Sequence, residues 1–178
     1  EFPLLAEKIH YIENITSREL VHQQAQQGKP LDFEGLKILS IGRLHPQKGF
    51  DLALNAAKLL KQQSLNFQWY ILGMGTERAA LEQLSGQLQV DDCVRFLGTS
   101  ANPYPYMACC DILAQTSRYE GKSVVLDEAK ILAKPIVVTD YPTAKDQIAN
   151  GQEGLIVPLT PQGIADGIMQ MAENTALR

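Results

Sequence analysis

An arginine and a lysine lie five positions apart in Gly42-Arg43-Leu44-His45-Pro46-Gln47-Lys48-Gly49, directly after an apolar run that reads as a strand. A guanidinium fork, an ammonium and the free N–H groups of a helix starting near Lys48 would together favour phosphate. A cation in the first turn of a helix opposes the helix dipole, so Lys48 needs a reason to be there beyond helix formation. Taken alone, the loop is also consistent with two solvated surface cations.

A second stretch, Ser117-Arg118-Tyr119-Glu120-Gly121-Lys122-Ser123-Val124-Val125-Leu126-Asp127-Glu128-Ala129, follows the fourth apolar run. Gly121 permits a tight turn, and Ser123 suits the cap of a helix running to about Ala133. The N–H groups of Ser123, Val124 and Val125 would then point into the same crevice as Arg43 and Lys48. Glu120 before that helix and Glu128 within it are eight positions apart. Carboxylates only accept hydrogen bonds and so suit sugar hydroxyls; two of them flanking an anion site indicate a polyol joined to phosphate. Glu128 by itself would read as a solvated helix acid.

Gly73-Met74-Gly75-Thr76-Glu77-Arg78 begins like the dinucleotide fingerprint G-x-G-x-x-G, but Arg78 stands where the third glycine belongs. It follows the second strand rather than the first, and Asp91, the acid at a suitable distance, precedes the third strand at the wrong end of the sheet. A dehydrogenase site is therefore disfavoured. Glycines that let backbone approach a ligand fit better, with a plain turn as the alternative. No pair among His10, His22 and His45 has metal-ligand spacing; His45 either touches the ligand of the basic loop or faces solvent.

The elements that must position these residues alternate along the chain. Strands are expected over 37–42, 67–72, 93–98, 111–116, 135–140 and 154–158, each short, apolar and bounded by Gly, Pro, Asp or Asn. Between them, Phe50, Ala53, Ala57 and Leu60 share one helical face, as do Leu81, Leu84 and Leu88, and later Ile164, Ile168 and Met171. This order means an α/β, doubly wound parallel sheet of about six strands with right-handed crossovers. Ligands of such sheets bind beyond the carboxyl ends of the strands, where the three loops above lie. Residues 1–35 stand apart: Thr16 and Glu19 suggest a capping box for a polar, peripheral or linking helix that ends near Gly28, followed by Pro30. Trp69 in the second strand reads as core.

Composition narrows the classes. The 178 residues carry a formal charge of −4, with 45% hydrophobic and 20% charged residues, enough for one core and without the basic balance of a nucleic-acid binder. No apolar run approaches the roughly 20 residues of a membrane span. Cys93, Cys109 and Cys110 lack metal-ligand spacing and read as free, buried thiols in a reducing compartment.

SIGRLHPQKGFD (40–51), ILGMGTE (71–77), VRFLG (94–98), SRYEGKSVVLDEA (117–129) and KPIVVTD (134–140) occur in the order seen in family 4 retaining glycosyltransferases. Over residues 36–170 the chain resembles the C-terminal, nucleotide-sugar-binding domain of such a GT-B enzyme, capsular or exopolysaccharide in flavour. The pairing of R-x4-K with E-x7-E is its most specific part. The resemblance implies a Rossmann-like domain at 36–178, and a junction segment at 1–35 with YIENIT (11–16) leaving an N-terminal acceptor domain that the chain lacks. It implies a catalytic set of Arg43, Lys48 and Glu120. Arg43 and Lys48 would hold the donor diphosphate and neutralise the leaving group, and Glu120 would lie near the donor sugar. Glu128 would accept from the ribose hydroxyls. Gly42, Gly121 and the backbone of Lys122, Ser123 and Val124 would contact sugar and phosphate, and Gly73 with the backbone of Arg95 and Phe96 would hold the base.

The family often has E-G-F-G-L where this chain has Glu120-Gly121-Lys122-Ser123-Val124, leaving Lys122 as an added donor contact or a solvated cation. No D-x-D occurs, in keeping with the metal-independent habit of the resembled type; no metal or other cofactor is expected. The implied partners are a nucleotide-sugar donor and, through the first domain, a glycan or lipid-linked acceptor that receives a hexosyl group. The implied location is cytoplasmic, with peripheral attachment of a full-length protein to the inner membrane face left open. A non-catalytic nucleotide-sugar or regulatory module is the alternative, and an NAD(P) enzyme a weaker one. By itself the chain is expected to bind nucleotide and not to transfer sugar.

Overall fold

Successive residues of the apolar runs face opposite layers, as extended backbone requires. The computed structural model describes residues 16–28 and 31–174. Its six strands are β1 (Leu36–Ile41), β2 (Phe67–Leu72), β3 (Val94–Gly98), β4 (Ile112–Gln115), β5 (Ile136–Thr139) and β6 (Leu155–Val157). All pair in parallel, in the order β3-β2-β1-β4-β5-β6. The helices are α1 (Arg18–Ala25), α2 (Phe50–Gln62), α3 (Arg78–Leu88), α4 (Tyr104–Cys109), α5 (Val124–Ile131), α6 (Ala144–Gln147) and α7 (Pro161–Glu173). The expected strands are recovered with no end shifted by more than one residue.

Ile38, Trp69, Ile71 and Ile112 bury against α2, α3 and α7, with Phe50, Ala53, Ala57, Leu60, Leu81, Ile164, Ile168 and Met171 in the same layer. Leu39, Tyr70, Leu72 and Leu113 bury on the other face with Met107 of α4, Leu126 and Ala129 of α5 and Ala144 of α6. Both faces being covered, the strands read as nearly continuous apolar runs. One polar device crosses the first layer: Trp69 Nε1 donates to Ser40 Oγ at 3.0 Å, and Ser40 Oγ donates to the carbonyl of Ala114 at 2.5 Å, linking β2, β1 and β4.

The chain winds outward from β1 to β3, then returns to place β4 on the other side of β1. The loops after β1 and β4 therefore leave the sheet on either side of a reversal of strand order, the position where such sheets open a crevice. This is what positions the site.

Some expectations shift. The cap of α1 is Ser17, not Thr16: Ser17 Oγ accepts from the Leu20 N–H at 3.3 Å and donates to Glu19 at 3.0 Å. Val21 is buried, and α1 packs on α4 and α5. Residues 11–15 of the YIENIT segment, His10 and Pro30 lie outside the described residues. All three cysteines are free thiols, but only Cys110 is buried; burial pushes its thiol up to about 12 and that of half-buried Cys93 up to about 11. Among the described residues no helix is long and apolar enough to cross a membrane.

Ser40→Ala should leave the buried indole N–H of Trp69 without its acceptor and cost about 1–3 kcal/mol in urea unfolding. Trp69→Phe in the Ser40→Ala background should add less than it does in the wild-type background; strictly additive losses would show that the bond contributes nothing.

Candidate functional site

Past β1 the chain turns through a 3-10 segment at Pro46–Lys48, with Gly49 in the left-handed region at φ 62° before α2. Lys48 thus precedes the α-helix rather than sitting in its first turn. His45 Nδ1 accepts from the Gln47 N–H at 3.3 Å and so caps this turn. The Lys48 stem runs back over Gly42, where a Cβ would come within 3.2 Å of it.

This loop is laced to the one after β4. The Thr116 carbonyl stands 2.1 Å from where a Cβ on Gly49 would be. Thr116 Oγ1 donates to the Lys48 carbonyl at 3.0 Å, and the Arg118 N–H donates to the Gln47 carbonyl at 2.8 Å. The Arg118 guanidinium reaches the Pro46 carbonyl and grips both oxygens of Asp51, in the first turn of α2, at 2.8 and 2.6 Å. Burial pushes the Asp51 carboxyl upward, but the hydrogen bonds and charge of Arg118 outweigh it and hold the group below its ordinary range.

Across this seam the Lys48 ammonium meets Glu120 Oε1 at 2.6 Å, with side chains 21% and 9% exposed. Ser117 Oγ donates to the same oxygen at 2.6 Å, and Gln47 Nε2 reaches Oε2 at 3.3 Å. Two of the three expected catalytic residues are thereby in direct contact. The third, Arg43, is exposed and lines a cleft of ≈ 310 Å³ together with Gly42, Leu72, Gly73, Thr99 and Ser100.

The glycines of Gly73-Met74-Gly75 meet protein backbone. A Cβ would lie 1.8 Å from the Gly42 carbonyl at Gly73, and 2.1 Å from the Leu44 carbonyl at Gly75. Their bareness lets the β1 and β2 loops touch, with Leu44 N–H donating to the Met74 carbonyl at 2.9 Å. Beside β3, the cleft is lined by Thr99, Ser100 and Pro103, not by Arg95 or Phe96. Arg95 turns back to the Asp91 carbonyl at 2.5 Å, and the Phe96 ring lies 4.8 Å under the Arg78 guanidinium.

Glu128, half-buried on α5, accepts from Tyr104 Oη at 2.8 Å. Burial holds its carboxyl above the usual range, the Tyr104 bond working the other way; burial and Glu128 push the Tyr104 hydroxyl up to about 12. Tyr104 follows Pro103 of the cleft wall in sequence. The start of α5 differs from the expectation: Ser123 occupies the cap position but does not cap with its side chain. Its Oγ donates to Gln115 Oε1 at 2.6 Å, and its N–H donates to Gln147 Oε1 at 2.8 Å. Lys122 lines a separate depression with Arg18, Asp127 and Lys130, 4.0 Å from Asp127. Gly121 is exposed and a Cβ there would meet nothing, while Val124 opens α5.

Sequence reasoning missed the roles of Gln47, Asp51, Arg118, Tyr104 and Gln147. Gln47, Asp51 and Arg118 stood inside stretches already singled out, but their partners are remote in sequence; Tyr104 and Gln147 stood outside them.

Residues 22–178 match the family model described as glycosyl transferases group 1. The chain is 31% identical over 179 aligned positions to the Campylobacter jejuni N-acetylgalactosamine-N,N'-diacetylbacillosaminyl-diphospho-undecaprenol 4-alpha-N-acetylgalactosaminyltransferase, covering 99% of this chain and 48% of that protein. It spans about half the length of the curated relatives it matches first. The crystal structure of Anabaena HepE in complex with UDP superposes with a TM-score of 0.74 at 27% identity, over 80% of this chain and 40% of that one. The C-terminal domain of the Francisella tularensis glycosyl transferase group 1 protein LpcC shares the fold, with a TM-score of 0.70 at 23% identity over 92% of this chain and 86% of that one.

Gly73→Ala should destabilise the chain markedly in urea unfolding, because it places a Cβ against backbone that cannot turn aside. Glu128→Gln should behave oppositely. A carboxyl whose folded pKa is raised loses stability as pH rises through that value, so removing the charge should raise Tm at neutral pH. The gain should vanish as pH falls toward the ordinary carboxylate range. A lower Tm for Glu128→Gln at neutral pH would contradict the burial argument.

Proposed function

The chain belongs to the glycosyl transferases group 1 family, and from that premise we propose that it is the donor-binding domain of a retaining GT-B enzyme that takes a hexosyl group from a nucleoside diphosphate sugar. The observation that carries this reading is the seam at the strand-order reversal, where Lys48 and Glu120 meet beside the cleft that Arg43 and Gly73 line.

In this reading the diphosphate lies against Arg43 and Lys48. Cleavage of the bond to the sugar leaves negative charge on the departing phosphate. Cations already fixed by the fold stabilise that charge without reorganising as it develops. The seam supplies such fixation for Lys48, whose stem lies on Gly42 and whose backbone carbonyl is held by Thr116. Glu120, held by Lys48 and Ser117, faces the donor sugar. Glu128 takes ribose hydroxyls with the acceptor capacity that its single bond from Tyr104 leaves open. Charge neutralisation is assigned to side chains and requires no metal.

The base is assigned to the cleft between Gly73 and the Thr99–Pro103 segment, which replaces Arg95 and Phe96 in that role. The acceptor, a glycan or lipid-linked saccharide, is assigned to a second domain of a longer, cytoplasmic protein. Binding without transfer is then the behaviour of this chain alone.

Arg43→Ala should weaken UDP and inorganic pyrophosphate alike, by about 1–3 kcal/mol in calorimetric titration, the range for hydrogen bonds to charged groups. Glu128→Ala should weaken UDP more than pyrophosphate, since only UDP has ribose. Equal losses for the two ligands in the Glu128 variant would remove the ribose assignment.

A further inference from the structure

The stretch 134–147 contributes nothing to the cleft, yet it underlies the turn that carries Glu120. Three of its side chains, evenly four positions apart, bond to three backbone positions of that turn, evenly three apart. Thr139 Oγ1 donates to the Ser117 carbonyl at 2.6 Å. Thr143 Oγ1 donates to the Glu120 carbonyl at 2.9 Å. Gln147 closes the series in both directions, accepting from the Ser123 N–H at 2.8 Å and donating from Nε2 to the Ser123 carbonyl at 3.0 Å.

Gln147 is itself held in place. It is buried at 8% exposure, and its carbonyl accepts from Lys130 Nζ at 2.8 Å. Helix α5 thus fixes the end of α6, while α6 fixes the residue from which α5 starts. The carboxamide suits this task because it both donates and accepts on one side-chain terminus, matching a backbone position that offers one N–H and one carbonyl. Glutamate, its isostere, only accepts at neutral pH.

We propose that Gln147 is a positioning residue for the site: by clamping Ser123 at both backbone groups it sets the Glu120–Ser123 turn, and so holds the Glu120 carboxylate in register with Lys48. The consequence for ligand affinity rests on the donor-binding reading above; the clamp itself does not.

Two measurements on the whole chain separate these. The first is amide hydrogen exchange of Gln147→Ala against wild type, which needs no ligand. Exchange over 117–124 should quicken by about tenfold or more, the equivalent of one or two lost hydrogen bonds, while β1 keeps its protection. Unchanged exchange over 117–124, or a loss spread evenly across the sheet, would overturn the proposal.

The second is pyrophosphate affinity of Gln147→Glu relative to wild type. At about pH 8 the ionised carboxylate has no proton to give the Ser123 carbonyl, and affinity should fall about tenfold; burial at this position raises a carboxyl above its ordinary range, so toward about pH 5 protonation restores the donor and the deficit should close. A deficit that stays flat with pH counts against the clamp. If the wild type binds neither pyrophosphate nor UDP, the donor-binding reading fails, and the exchange measurement still decides the role of Gln147.

Discussion

Where the strand order of a parallel sheet reverses, two neighbouring loops leave in opposite directions and open a gap between them. In this chain the gap is crossed by backbone in near contact: Gly49 lies so close to the Thr116 carbonyl that a methyl group has no room. That approach sets the rest. It brings Arg118 within reach of Asp51 and Pro46, puts the Gln47 side chain beside Tyr119 and Glu120, and lets the Lys48 ammonium meet the Glu120 carboxylate. Without it, Lys48 and Glu120, which sit on separate loops, would not meet.

The Lys48–Glu120 pair is largely buried, and burying two charges costs more in desolvation than their attraction alone returns unless further hydrogen bonds help. Ser117 and Gln47 supply them. Such a pair is a weak source of stability. In the donor-binding reading, a phosphate beside Lys48 finds an ammonium already fixed in place by Glu120, which Ser117 and Gln47 hold in turn.

The sequence was most legible where periodicity reports burial. Short apolar runs marked all six strands, and the helical faces of α2 and α7 were marked by Phe50, Ala53, Ala57, Leu60, Ile164, Ile168 and Met171, all now buried. Lys48 and Glu120 were found because both follow strand ends in a parallel sheet. What escaped is what depends on remote partners. Ser123 had the type and place of a capping residue, but Gln115 draws its hydroxyl away. Gly73 and Gly75 suggested a close approach, and the β1 loop is one object of it; spacing does not tell a ligand from a neighbouring loop. Tyr104 meets Glu128 across 24 positions, and nothing in either segment alone announces the other.

The assignment of this seam to a nucleoside diphosphate is tested most directly by calorimetric titration of the chain with UDP, GDP, ADP and NAD. Saturable binding of at least one nucleoside diphosphate, with NAD far weaker, is the result expected. Tight binding of NAD with no response to any nucleoside diphosphate would contradict the account.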